Sequence, residues 1–354
     1  MFAQHALPTY PQSVQPKSDH ATTLGMMPPP NCAVSCGCSG EERRGCELFR
    51  LVSESRDAIQ DGVASVLFGA LPAPKTAEIY GVRYAVFERP DFGQLLVTRY
   101  GWPMLPALMP ERWFTEGKFW RTGERLGQST GTVYRFGVKE ENGSTTDLVI
   151  KVSRYAQDVP FYADASFLRR IPELVMASLR FNNPFEEFGR LIRLRSTKHG
   201  RRLYTKRPLA IYSPPEQLQL WQHGRTEGAA RMEREAVAEV QDKGRVQIEL
   251  DPFRSYYTLF GWVSGVDASS LFQAGQLSET DMAQLTEDSI ADLMARGMIV
   301  LDHKPAHIIV RPNATGTGCL RRSDGRIAYA LVDFELLVDM PASSEVTANG
   351  TGSS

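Results

Sequence analysis

Three stretches of the chain hold residues with chemistry to offer. Leu126-Gly127-Gln128-Ser129-Thr130-Gly131-Thr132-Val133-Tyr134 lies between two strand-like segments, and its glycines let backbone amides come close to phosphate groups. Asp147-Leu148-Val149-Ile150-Lys151-Val152 is an apolar strand with one lysine in it. Lys151 needs either a charged partner or an edge position from which it reaches solvent. The third stretch, Ile299-Val300-Leu301-Asp302-His303-Lys304-Pro305-Ala306-His307-Ile308-Ile309-Val310, is followed by Leu331-Val332-Asp333-Phe334-Glu335. The plainer role for Asp302 and Asp333 is to cap turns by bonding backbone amides.

Two further clusters have chemical potential. Cys32, Cys36, Cys38 and Cys46 crowd together as C-x3-C-x-C-x7-C, which differs from the paired C-x2-4-C spacing usual for tetrahedral zinc. Metal binding there stands against a plain reading of reduced thiols in a loose tail. The segment Arg190 to Arg207 is locally basic and could grip phosphates. Its alternation, Leu191-Ile192-Arg193-Leu194-Arg195 and Arg202-Leu203-Tyr204-Thr205-Lys206 around Lys198-His199-Gly200, reads as a hairpin with a charged, solvated outer face.

The elements that must position these residues follow from periodicity. Residues 1–45 are rich in Pro, Ser and Gly and too poor in apolar residues to offset the cost of ordering, so a disordered arm is expected. Leu48, Leu51, Val52, Ile59, Val63 and Val66 recur at helical spacing between Glu47 and about Leu71. Ile79 to Phe87 and Gln94 to Tyr100 read as strands joined by Pro90-Asp91-Phe92-Gly93, so residues 46–117 form an N-terminal helix and hairpin appendage. Asn142-Gly143 marks a tight hairpin before the Lys151 strand. Glu227 to Asp242 reads as a helix, Val246 to Leu250 and Tyr256 to Val263 as strands, and Thr280 to Arg296 as a helix stopped by Gly297.

Taken in this order, the motifs resemble the protein-kinase superfamily, and more closely its minimal aminoglycoside-phosphotransferase-like branch than ordinary protein kinases. There D-x-K-P-x-N-I-x-V forms the catalytic loop and D-F-G follows a short hairpin; here they read D-x-K-P-x-H-I-I-V and D-F-E. The resemblance implies an α+β, bilobal kinase-like fold over residues 118–340, with an N-lobe over about 118–263, a reduced C-lobe over about 264–340 and a disordered tail over 341–354. It implies ATP held by Gly127, Gly131, Val133, Lys151, Glu235, Trp262, Val263 and Asp267. Glu235 would fix Lys151, with Glu233 and Glu239 as alternatives because helix phase is open. Ser264-Gly265-Val266-Asp267 would be the hinge beside adenine and ribose. Asp302 would orient or deprotonate the acceptor hydroxyl and Lys304 neutralise developing charge. Asp333 and His307 would hold a divalent metal, Mg or Mn.

Four departures from the family pattern shape the expected function. Ser129 replaces the middle glycine of the phosphate loop. His307 replaces a metal-binding asparagine, and imidazole suits Mn better than Mg. Glu335 replaces the glycine after Asp-Phe and could supply another oxygen ligand. Only 19 residues follow Glu335, which leaves no activation segment and no peptide-docking platform. The expected activity is transfer of the γ-phosphoryl group of ATP to an unknown small-molecule or protein acceptor. The alternative is a pseudokinase scaffold that binds nucleotide or a protein partner, such as one completing the C-lobe, without turnover.

Composition limits the remaining classes. The 354 residues are 42% hydrophobic and 23% charged with a net charge of −1, near the averages for folded domains and without a global pull towards nucleic acid or anionic lipid. No apolar run approaches the roughly 20 residues that span a bilayer. The N-terminus lacks the basic start and apolar stretch of a secretory signal, so a cytoplasmic location is expected.

Overall fold

Antiparallel pairing dominates the computed structural model, which describes residues 68–69, 76–126, 132–140, 143–157, 180–197, 203–240, 248–313 and 318–340. The expected arm over 1–45, Cys32, Cys36, Cys38 and Cys46, nearly all of the helix over 47–71, Gly127, Gly131, Asn142, Lys198 to Arg202 and the tail lie outside the described residues. The described chain is mixed α+β.

Strands β1 (Thr76–Ile79), β2 (Val82–Arg89), β3 (Gly93–Val97), β4 (Glu124–Arg125), β5 (Val133–Lys139), β6 (Thr145–Val152), β8 (Pro208–Ser213) and β9 (Tyr257–Gly261) form one eight-stranded sheet. Its order is β1-β2-β3-β8-β9-β6-β5-β4. Residues 76–97 are therefore not a separate appendage. β3 pairs with β8 along Gln94–Val97, so the boundary expected near residue 118 does not divide the sheet. The run read as one strand, Ile79 to Phe87, is broken by a tight turn at Tyr80 and Gly81, both at positive φ (49° and 70°). Two successive positive φ angles give the hairpin twist that joins β1 to β2.

The central strands β3, β8 and β9 are buried along their whole length, which explains their near-continuous apolar runs. Because side chains alternate along a strand, the two faces are covered by different elements. On one face, short helical turns between Trp102 and Trp113 and helix α1 (Lys118–Thr122) bring an aromatic cluster over Tyr212 and Tyr257. Trp113 meets Tyr212 edge-on with ring centroids 5.5 Å apart, and Phe114 meets Tyr257 at 5.1 Å, the offset geometry aromatic rings prefer.

The other face is covered by helix α2 (Pro184–Ser196), which corrects the basic-hairpin reading of residues 191–206. Asn183 caps this helix by accepting from Glu186 N, Pro184 occupies its first turn, Glu186 and Glu187 sit at its N-terminal end and Arg193 and Arg195 at the other. That is the charge order a helix dipole favours. Phe185, Phe188, Leu191 and Leu194 point inward, Phe185 against Tyr84 and Phe188 against Phe260. Of the expected second strand, β7 (Tyr204–Thr205) remains, and it pairs elsewhere.

Helix α3 (Glu227–Val240) appears where expected, but Ile248 to Leu250 do not form a strand; Ile248 and Leu250 instead bury their side chains in the core. Beyond β9 come β10 (Val266–Asp267), α4 (Ala268–Gln273), α5 (Glu279–Met294), β11 (Met298–Val300), β12 (Ile308–Val310), β13 (Tyr329–Leu331) and β14 (Leu337–Asp339). A four-stranded sheet runs β10-β12-β13-β7, with β7 parallel to β13, and β11 pairs with β14. Gly297, at φ +69°, ends the helical path of α5 and turns the chain into β11.

Candidate functional site

Strand pairing fixes where the charged residues meet. Lys151 on β6 lies opposite Thr258 on β9, on the face that α2 covers. The pairing of β11 with β14 holds the start of the Asp302 loop, with Leu301 N donating to Leu336 O at 3.0 Å. The pairing of β12 with β13 sets His307 beside Asp333, and Val332 N donates to His307 O at 3.2 Å. Pro305 opens a short 3-10 turn that ends at His307. Asn182, just before α2, donates from its side chain to Phe334 O and Leu337 O and from its backbone to Glu335 O, clamping the segment that carries Asp333 and Glu335.

The result is a continuous chain of ionisable groups. Lys151 Nζ lies 2.7 Å from both Asp333 Oδ1 and Glu335 Oε1. Asp333 Oδ2 is 3.4 Å from His307 Nε2, and His307 Nδ1 is 3.4 Å from Asp302 Oδ1. Asp302 Oδ2 in turn holds Lys304 Nζ at 3.0 Å. Behind the cluster, Lys206 Nζ pairs with Glu187 Oε1 of α2 at 3.0 Å, both side chains 4% exposed, and sits 3.4 Å from the centroid of Phe260.

Protonation follows from burial and these neighbours. Burial works against the charge on Lys151, but Asp333, Glu335 and Glu187 hold its proton affinity above the usual lysine range. Burial also opposes ionisation of Asp333, yet Lys151, His307 and Lys206 keep its carboxyl well below the ordinary value. Glu335 is pushed up by burial and by Asp333, against the pull of Lys151. Burial lowers His307, opposed by Asp333 and Asp302. A neutral imidazole has one N–H to offer two carboxylates, and buried Asp302 Oδ1 and His307 Nδ1 have no hydrogen-bond partner.

Those two atoms face each other on the Asp302 side of the imidazole, whereas Nε2 faces Asp333 Oδ2. Among the described residues no group of three or more His, Cys, Asp or Glu is arranged to hold a metal by protein ligands alone. Magnesium commonly needs only one or two carboxylates and takes its other ligands from substrate phosphates and water. Asp333 with His307 fits that partial donor set.

The chain matches no family model and no curated protein.

Several expected contacts lie elsewhere. Glu235 is a correction: its side chain is 66% exposed and pairs with Arg231 one helical turn away, because the buried face of α3 is Ala230, Glu233 and Val237. Glu233 is buried but bonds Arg180 and Asn183. The helix that reaches the Lys151 region is α2, whose Glu187 lies just ahead of the 191–206 segment expected as a hairpin, in a stretch for which the sequence suggests no element. Asp267 caps α4, accepting from Ser270 N at 2.9 Å and Ser270 Oγ at 2.6 Å. Trp262 stacks under Arg135, whose guanidinium carbon is 4.4 Å from the ring centroid. Trp262 is four residues past Thr258, about 13 Å along an extended strand from the position opposite Lys151. Val133 pairs directly with Lys151 across β5 and β6.

His303, between Asp302 and Lys304, has a structural role. Ser289 Oγ donates to Thr286 O, so at 2.7 Å it accepts from His303 Nε2–H, which leaves Nδ1 as the unprotonated, buried and unpartnered nitrogen. Burial, aided by His307, lowers His303 from 6.5 to about 4. Below pH 6.5 the unfolded chain takes up a proton that the folded chain refuses until about pH 4, so stability falls as pH falls through that window. The loss approaches about 3 kcal/mol at its acid end. Chemical denaturation of His303→Gln, which keeps a donor for Ser289 but does not titrate, should show a much shallower loss between these pH values than wild type.

Proposed function

We propose that the chain is an atypical kinase that binds ATP with a divalent metal in a bilobal, kinase-like fold and transfers the γ-phosphoryl group to a hydroxyl-bearing acceptor. One observation carries this reading: Lys151, Asp302, Lys304, His307 and Asp333, from three separated segments, meet in one continuous charge cluster. The strand order β4-β5-β6-β9-β8, with α2 between β6 and β8 in the chain, supports it. So does the link from β9 through Trp262 to β10, which suits an adenine-side connector.

In this reading Lys151, held by Asp333 and Glu335, receives the negative charge of the phosphates. Asp302 accepts the proton of the acceptor hydroxyl as its oxygen bonds to phosphorus, and ADP departs with the electrons of the broken P–O bond. Lys304 faces the charge that develops on the transferred group. The metal, held by Asp333 and His307, would supply charge neutralisation on the phosphates. An imidazole nitrogen from His307 in the donor set favours Mn over Mg, since Mg binds nitrogen reluctantly.

A scaffold that binds nucleotide without turnover is the second reading. It is favoured by Lys151 being engaged by two carboxylates at once, so phosphates must compete with Glu335. Thermal shift with ATP and Mg or Mn, followed by an ATP-turnover assay, decides between them. The kinase reading expects stabilisation by Mn-ATP and measurable turnover. Stabilisation without turnover supports the scaffold, and neither effect removes both. His307→Asn should move the metal preference from Mn towards Mg and raise turnover; unchanged preference would remove His307 from the metal.

A further inference from the structure

A cavity of about 770 Å³ opens where the end of α2, β7, the 261–264 link and the β12–β13 pair come together. Among the described residues four arginines line it, Arg195, Arg207, Arg296 and Arg311, and no aspartate or glutamate does. They come from separate parts of the chain, so the fold gathers them; two belong to the segment that reads in the sequence as a solvated basic run. None of Lys151, Asp302, His307 and Asp333 lines the cavity, so it lies apart from the charge cluster, although it shares Trp262 and Val263 with the proposed adenine-side connector.

Two of the guanidiniums bond neutral groups on the cavity wall. Arg195 Nη1 donates to Thr205 O at 2.9 Å and to Thr205 Oγ1 at 2.8 Å, and Arg311 Nε donates to Ser264 O at 3.1 Å. Such bonds orient a guanidinium without cancelling its charge. Arg207 and Arg311 are exposed and Arg296 is buried, so positive charge runs from the rim inward. A concave site lined by one sign of charge concentrates counter-ions, and the planar fork of Arg matches phosphate oxygens two at a time. The volume is that of a small-molecule site.

We propose that this cavity binds a small soluble polyanion carrying two or more phosphate groups. Several guanidiniums around one volume need more than a single phosphate to engage them, and Tyr204 and Trp262 line the same cavity. Because the 261–264 link forms one wall, occupancy would bear on the segment that joins the two sheets.

The test is calorimetric titration of the full chain with tripolyphosphate and with inositol hexakisphosphate, in chelator to remove metal-dependent nucleotide binding. Wild type should bind at least one probe, more weakly as salt rises. Arg207→Gln/Arg311→Gln, at two exposed positions, should weaken that binding at least about tenfold, while Asp333→Asn should leave it unchanged. Preference for the chain or the ring distinguishes linear polyphosphate from a phosphorylated ring as the ligand. Failure of wild type to bind either probe overturns the proposal. So does equal binding by wild type and the double arginine variant, or tighter binding in Asp333→Asn alone, which would place the anion beside the released Lys151 in the charge cluster.

Discussion

Lys206→Met should destabilise the protein by about 3–5 kcal/mol, because it leaves the Glu187 carboxylate buried without its partner. Burial lowers the proton affinity of Lys206, Glu187 counters that and nearby Lys151 adds to it, so the pair is retained at a cost rather than as a source of stability. Removing both charges should therefore undo most of the damage. Urea denaturation at neutral pH is expected to place Lys206→Met/Glu187→Leu within about 1–2 kcal/mol of wild type. If the single and double variants lose the same amount, the loss reflects packing of the lysine stem on Phe260 and not the uncompensated carboxylate.

The largest effect on activity should come from the two aspartates, and they should fail differently. On the proposed reaction, Asp302→Asn keeps shape and hydrogen bonding but cannot take a proton, so turnover should fall by about 10²–10⁴-fold with nucleotide affinity nearly unchanged. Asp333→Asn removes a charge that Lys151, His307 and Lys206 all reinforce, so metal-dependent nucleotide binding itself should disappear. Single-turnover measurements with saturating nucleotide, beside equilibrium binding, separate the two. An Asp302→Asn variant with wild-type turnover would remove it from proton transfer, and an Asp333→Asn variant with intact metal-dependent binding would remove it from the metal.

How much of this was legible in the sequence depends on the range of the interaction. Motif order points to one locus for Lys151, Asp302, His307 and Asp333, since β6, β11, β12 and β13 are all apolar runs bounded by clear turns. The pairing of Lys151 with Glu335 was not legible, because the spacing of a motif does not say which carboxylate rotates towards a buried lysine. Glu235 was misplaced for a related reason. Choosing it required the phase of α3, which is set by tertiary burial of Ala230, Glu233 and Val237. Helix α2 was missed although its signals are present: Asn183-Pro184 followed by Glu186 and Glu187 is a helix start. The apparent alternation of Leu191 to Arg195 competed with that signal, and five residues fit either period. Tyr80-Gly81 was invisible as a turn because tyrosine seldom adopts positive φ.

The continuity of β3 with β8 sets the smallest fragment able to stand alone. A chain begun at Lys118 would lack β1, β2 and β3 and leave β8, buried along its full length in the intact sheet, as a bare margin. Its backbone amides and carbonyls from Ala210 to Ser213 would be free to recruit a strand from another molecule. Such a fragment should elute as aggregate on gel filtration, whereas one begun ahead of Thr76 should stay monodisperse. The first three strands thus act as a solubility guard for the part of the molecule that holds the charge cluster.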